Sequence, residues 1–332
     1  MATLPATTAG VNGAWSMYRQ CTATSSFQKS QLEMFIKVSL WLGITGAVIG
    51  TVAQTLSPNP TSVTSKVLGI LGSLTVALAG LAATQAANAN RDKVWIKCRA
   101  AGEALKSSVY LYSASVPPLD TPDRASALAQ RVEKVLKDLQ GIELRPGKPD
   151  KLPPGPLTVT DYIKARLDDQ ISYYTSSANK YQKKADFWRY AALGSAALSA
   201  VLGAISAIFS LSAWVALLAT LTTSITAYVK NQRYELMIGL YQATAMRLQL
   251  LKDQWLDSGK SDADKEARDS FIQRCEETMA LENGAWVEQW SQQPASQSKP
   301  EPQDRAEQPQ NEAPHSDTIP LQHQPANQQP QS

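Results

Sequence analysis

The sequence predicts an all-α integral membrane protein. Its architecture is two transmembrane helical hairpins, four spans in all, continuing into cytoplasmic coiled-coil-like helical stalks and ending in a disordered C-terminal tail. Three observations carry this expectation. From Phe187 to Val229 the chain holds some forty residues with no charge except Arg189. A second apolar region, 38–89, is cut by the helix-breaking sequence SPNPTS at 57–62. Basic residues flank both regions on both sides.

As a single helix, the apolar run at 187–229 would be roughly 60 Å long, about twice the hydrocarbon core of a bilayer. It therefore reads as two spans, about 190–209 and 211–229, folded back near Phe209-Ser210-Leu211-Ser212. In the first region the prolines at 58 and 60 end one helix and allow the next to begin. Its spans read as about 38–56 and 67–89. Basic residues set the orientation, because cytoplasmic flanks carry an excess of lysine and arginine. Lys29 and Lys37 precede the first hairpin, and Arg91, Lys93, Lys97 and Arg99 follow it. Lys180, Lys183, Lys184 and Arg189 precede the second, and Lys230 and Arg233 follow it. Both hairpins thus place their ends and both chain termini in the cytoplasm, as expected of a multi-pass protein of the cell membrane.

The remaining segments follow in order. Residues 1–14 read as a disordered N-terminus, and 15–144 as a first two-span unit. No basic region followed by an apolar core opens the chain, so no signal peptide is expected. After the first hairpin, Trp95, Cys98, Gly102, Leu105, Val109 and Tyr112 form one helical stripe. An amphipathic helix over about 122–140 follows, with Leu128, Val132, Val135 and Leu139 on its apolar face. A Pro/Gly linker occupies 145–156, and a second two-span unit 157–292.

In the second unit, Thr160 reads as an N-cap and Asp161 favours the helix dipole. Ile171, Tyr174, Ala178, Tyr181, Ala185 and Trp188 make a seam that runs into the membrane. Tyr234, Met237, Tyr241, Leu248, Leu251 and Trp255 make its antiparallel counterpart. A last helix packs on this stalk through Ile272, Cys275, Met279 and Trp286. Proline and glutamine supply 18 of the last 40 residues, so 293–332 reads as a disordered tail.

The function classes narrow by inventory. The net charge of +3 and the absence of long basic runs give no reason to expect nucleic acid. The three cysteines are far apart and suggest reduced thiols rather than a zinc site. Both histidines lie in the tail, and no phosphate-binding, zinc-protease or serine-nucleophile motif occurs. Asp168-Asp169 and Glu276-Glu277 read as solvated faces. No enzyme, cofactor or metal site is expected.

The spans themselves supply the candidate residues. Gly43, Gly46, Gly50, Gly69, Ser73 and Gly80 mark close-approach faces in the first hairpin, and Ser195, Ser199 and Gly203 in the second. Such faces serve either packing within one bundle or contact between subunits of a homo-oligomer. Thr220, Thr222, Ser224 and Thr226 could wet a pore, or bond back to their own helix carbonyls. Intramembrane charge, the usual mark of a selective path, is absent.

The two halves also look alike. A shift of 151 residues superposes Thr24-Ser25-Ser26 on Thr175-Ser176-Ser177, Lys29 on Lys180, Gln31 on Gln182 and Leu42-Gly43 on Leu193-Gly194. Arg91 to Tyr112 (RDKVWIKCRAAGEALKSSVYLY) and Asp161 to Arg189 (DYIKARLDDQISYYTSSANKYQKKADFWR) resemble the DUF4231 and SLATT family of two-transmembrane-helix effector domains. The shift and the twice-repeated order of polar helix, span, turn, span and basic flank read as a tandem duplication of one such unit. The resemblance implies an oligomeric pore-forming or membrane-perturbing effector, gated through its cytoplasmic helices and set off by a separate sensor protein. The alternative is a non-enzymatic membrane scaffold that recruits cytoplasmic partners.

Overall fold

A computed structural model describes residues 10–56, 62–148, 152–209 and 211–291. Every regular element among them is helical. The first, α1 (Val11–Leu56), is one unbroken helix of 46 residues, roughly 70 Å long. Then come α2 (Val63–Ala86), α3 (Ala89–Ser113) and α4 (Arg124–Asp138). The second unit opens with α5 (Val159–Tyr162), which passes through a π-helical turn (Ile163–Leu167) into α6 (Asp168–Phe209). The chain continues through α7 (Ser212–Gln232), α8 (Tyr234–Asp257) and α9 (Lys265–Ser291).

Several boundaries depart from the sequence expectation. Helix α1 starts at Val11 instead of after residue 14, because Ala14 and Trp15 are already buried in the core. The cap of α5 is Thr158, not Thr160. The Asp161 amide donates to Thr158 Oγ1 at 3.1 Å, and the Thr158 amide donates to Asp161 Oδ2 at 3.4 Å. Asp161 thus closes a capping box in which two otherwise unpaired donors are satisfied reciprocally. The second span ends at Ala86, because Asn88 Oδ1 accepts from the Asn90 amide at 3.1 Å and starts α3 afresh. The expected disorder of 293–332 falls outside the described residues, as do residues 1–9.

The two units repeat one plan with a built-in asymmetry. In each, one helix runs unbroken from the helical bundle into the apolar hairpin: α1 in the first, α6 in the second. The return leg is jointed in each. Between α2 and α3 the joint is Ala87-Asn88, and between α7 and α8 it is Arg233 alone, at φ 50°. A non-glycine residue in that left-handed region costs roughly 1–2 kcal/mol, so the joint is imposed by its surroundings.

Outside the hairpins α3, α8 and α9 pack with the N-terminal halves of α1 and α6 around one shared core. Along α6 and α8 the tyrosines form a ladder. Tyr174 meets Tyr241 (5.7 Å between ring centres), Tyr241 meets Tyr181 (5.8 Å), and Tyr181 meets Tyr234 (5.9 Å). Trp188 and Tyr228 continue it at the base of the second hairpin, at 4.9 Å. The anticipated stripe of α9 is buried in full: Ile272, Cys275, Met279 and Trp286. Trp286 stands edge-on to Trp95 of α3 at 5.1 Å.

The linker is pinned to the bundle. Arg19 Nη1 donates to the Lys148 carbonyl at 2.7 Å, and the Arg145 amide donates to Thr24 Oγ1 at 2.8 Å. Gly147 approaches α1 so closely that a Cβ there would meet Arg19 Cβ at 2.6 Å.

Truncating Trp286 to alanine removes a side chain that is 2% exposed. It is expected to cost about 3–5 kcal/mol of bundle stability. Denaturant titration of the detergent-solubilised chain measures this, and an unchanged midpoint would contradict the place of α9 in the shared core.

Candidate functional site

Among the described residues, four helices are long and apolar enough to cross a membrane, and their apolar stretches face outward. Ile70, Leu81, Leu193 and Ile208 are each at least 60% exposed, whereas Arg166 in the bundle is 1% exposed. Apolar side chains turned outward along the hairpins suit lipid, and water would oppose them.

The small residues of the first hairpin divide into two groups. Gly46 is the crossing point: a Cβ there would meet Val76 Cγ2 at 2.7 Å and the Gly72 carbonyl at 3.2 Å. Gly72 faces it: a Cβ there would lie 3.5 Å from the Gly46 carbonyl oxygen and the Gly50 amide nitrogen. Gly43, Gly50, Gly69 and Gly80 face open space, and Ser73 Oγ donates to the Gly69 carbonyl at 2.8 Å.

The second hairpin is joined by hydroxyls. Ser195 Oγ lies 2.7 Å from Thr222 Oγ1, and Ser199 Oγ donates to the Val215 carbonyl at 3.3 Å. Gly203 faces open space. Thr220 and Thr226 lie on exposed faces and donate to the carbonyls of Ala216 and Thr222, both at 2.9 Å. Ser224 is half-buried. Thr222 therefore faces the partner helix of its own hairpin, while Thr220 and Thr226 face away from the fold.

Of the basic flanks, Lys93, Lys97, Lys183, Lys230 and Arg189 are exposed. Lys184 and Arg233 are half-buried, and Arg233 lies 5.7 Å over the Trp290 ring. Arg91 folds over Phe35 at 4.8 Å. Arg189 Nη2 bridges to Glu235 at 3.2 Å across the base of the second hairpin. Arg99 has a structural position as well. It points into the core, 3.5 Å from Glu282 and 4.3 Å over the Trp286 ring.

A charged network lies below the hairpins, where the two units meet. Arg166, in the π-turn, grips Glu276 of α9 with Nε and Nη2, at 2.9 and 3.0 Å. Tyr162 Oη donates to the same carboxylate at 2.9 Å. Tyr110 of α3 lies 5.0 Å from the guanidinium and donates to the Ala165 carbonyl at 3.2 Å. Burial opposes ionisation of Glu276, but Arg166 and the hydrogen bonds from Arg166, Ser107 and Tyr162 outweigh it and hold the carboxyl below its ordinary range. Farther along α9, Glu282 accepts from Tyr174 Oη at 3.0 Å and pairs with Arg99. There burial dominates and raises the carboxyl despite Arg99 and Tyr174. Burial also pulls the Lys106 amine down to about 8, with Arg166 adding to the effect.

This network corrects the reading of Glu276 as a solvated carboxylate, since it is 4% exposed. Its position carried a usable signal. Ile272, Glu276, Met279, Glu282 and Trp286 share a 3–4 spacing, as do Tyr162, Arg166, Gln170 and Tyr174. A charge inside an apolar stripe has to find a buried partner. The partner lies more than a hundred residues away, so the stripe alone could not name it. The Asp168 carboxylate is also engaged, 2.6 Å from Lys252 Nζ.

Glu276→Ala leaves a buried guanidinium unpaired and is expected to cost about 3–5 kcal/mol. The double change Arg166→Met with Glu276→Leu is expected to be far milder, since neither charge is then orphaned. Denaturant midpoints of the three chains test this, and equal losses for single and double variants would refute the pairing. In the first hairpin, Gly46→Leu is expected to cost about 1–3 kcal/mol by overpacking, and Gly43→Leu close to nothing. Thermal unfolding in detergent separates the two.

Residues 15–127 match the family model described as protein of unknown function DUF4231. Residues 162–286 match SLATT_1, described as SMODS and SLOG-associating 2TM effector domain 1. Neither a curated protein nor a solved structure matches the chain. The repeat seen in the sequence is thus a tandem whose halves match different models, each supplying one hairpin and its share of the common core. The chain belongs to the DUF4231 and SLATT group, with a DUF4231 domain followed by a 2TM effector domain.

Proposed function

We propose that the protein is an oligomeric effector that permeabilises the cell membrane, gated by rearrangement of its helical bundle, with the bundle and both termini in the cytoplasm. The observation that carries this reading is the pair of unbroken helices. α1 and α6 each continue from the shared core into an apolar hairpin, so a change of packing among α3, α8 and α9 moves a span directly. The joints at Ala87-Asn88 and Arg233 let the return legs yield while the continuous legs stay rigid.

Support for oligomerisation comes from the open small-residue positions. Gly43, Gly69, Gly80 and Gly203 take no part in close packing within the chain, and close approach of another helix is what such positions favour. Support for weak selectivity comes from the spans, whose exposed polar atoms near Thr220 and Thr226 are hydroxyls bonded back to their own helix. A separate sensor protein would act on the bundle, and no catalytic group is required of this chain.

Inducible expression with a membrane-potential dye tests the reading. The full chain is expected to depolarise cells, and Gly80→Leu with Gly203→Leu to reduce depolarisation at equal membrane abundance. Removal of 293–332 is expected to leave depolarisation intact. A membrane-inserted oligomer that never depolarises cells, or a phenotype lost only with 293–332, would favour a scaffold that recruits partners.

A further inference from the structure

One face of α6, just before its membrane-spanning stretch, gathers cations that have no carboxylate within ion-pair distance among the described residues. Asn179, Lys180, Lys183, Lys184, Phe187 and Trp188 line a groove of about 560 Å³. Among the described residues, Lys180, Lys183 and Lys184 make no ion pair. The nearby acids are already engaged. Glu33 of α1 is shared by Lys29 at 3.9 Å and Lys37 at 3.6 Å. Asp186 accepts from Gln182 at 3.0 and 3.1 Å and lies 4.0 Å from Arg189.

The cluster spans both units. Lys29 Nζ donates to Tyr181 Oη at 3.4 Å, and Lys184 Nζ lies 5.7 Å over the same ring. Burial lowers the Lys184 amine most, and the charges of Lys180, Lys29 and Lys37 lower it further against the pull of Glu33. Like charges collected this way repel unless an anion sits among them.

The place in the fold identifies the anion. Lys183 and Lys184 lie within about two helical turns of Tyr190, where the apolar run begins. Phe187, 64% exposed, and Trp188 form the groove's membrane end. Lysine at the headgroup level and an exposed ring at the acyl boundary match the two ends of a phospholipid. A soluble phosphate would use the lysines and leave the rings in water.

We propose that this groove binds an anionic phospholipid of the leaflet adjoining the bundle, its headgroup phosphate among Lys180, Lys183 and Lys184 and its acyl chains along Phe187 and Trp188. The site rests on the membrane placement of the α6–α7 hairpin and not on pore activity. Occupancy ties the lipid to the continuous helix α6, so lipid composition enters the balance between bundle and span.

The test uses the full chain in vesicles containing phosphatidylglycerol or phosphatidylcholine with brominated acyl chains at equal mole fraction. The signal from Trp188 is isolated by difference from Trp188→Phe. Brominated phosphatidylglycerol is expected to quench Trp188 in preference to brominated phosphatidylcholine. Lys180→Gln with Lys183→Gln and Lys184→Gln is expected to lower that preference about tenfold or more. Lys230→Gln, outside the groove, is expected to leave it unchanged. Equal quenching by the two lipids, or a preference that survives the triple substitution, would overturn the proposal. So would loss of the preference on adding glycerol phosphate at constant ionic strength, which would assign the groove to a soluble anion. The readout requires no depolarisation. A chain that binds the lipid yet never depolarises cells would count against the effector reading alone, and an active chain with no lipid preference against the groove alone.

Discussion

A guanidinium enclosed by protein has to be met by a carboxylate, and the bidentate contact of Arg166 with Glu276 meets that demand inside the second unit, where α3 of the first packs against it. Other features gather around it. The π-turn and α5 supply Arg166 and Tyr162, α9 supplies Glu276, and α3 lays Tyr110 against the guanidinium. Breaking one partner would strand a charge where water cannot reach it, so these elements move together or not at all. The second pair, Arg99 with Glu282, repeats the device nearer the membrane and adds Tyr174 of α6. The buried Arg99–Glu282 pair, the contact of Tyr110 with Arg166 and the aromatic cluster of Trp95, Trp286 and Trp290 therefore join a DUF4231 domain and a 2TM effector domain into one core.

From that core the chain reaches the membrane by two unlike routes in each unit. The continuous helices have every internal backbone group paired from bundle to hairpin turn, which makes them stiff. The return legs are interrupted by Asn88, which restarts a helix with its own side chain, and by Arg233 in the left-handed region. An interruption at the edge of an apolar span is tolerable only where water or protein can satisfy the freed backbone groups. The joints accordingly lie at the ends of the spans and not within them.

Within the hairpins, packing uses what lipid leaves available. No hydrophobic force separates a helix from hydrocarbon, so contact depends on close backbone approach and on polar groups that pair. The first hairpin uses approach, at Gly46 and Gly72; the second uses pairing, at Ser195 and Thr222. The remaining small residues and the outward threonines are not consumed by the fold, and the lysine groove of α6 is likewise left over. These surfaces carry the subunit and lipid contacts proposed above.

Much of this was legible in the chain itself. Length and absence of charge specify a span, because the bilayer has one thickness and excludes ions, and SPNPTS and the basic flanks mark the hairpin ends. Apolar spacing placed Ile272, Cys275, Met279 and Trp286 on one buried face of α9, and the tyrosines of α6 and α8 on facing seams. Periodicity is a local property, so it reports the face a residue occupies but not what that face meets. Glu276 and Glu282 sit in the apolar spacing, yet only the folded chain brings Arg166 and Arg99 to them. Likewise the sequence presents Gly43 and Gly46 as equals, and the crossing geometry alone makes one a contact and leaves the other open. The sequence by itself determined the spans, the seams and the kind of protein this is. Tertiary structure decided which charges pair and which small residues touch, because both depend on distances between segments far apart in the chain.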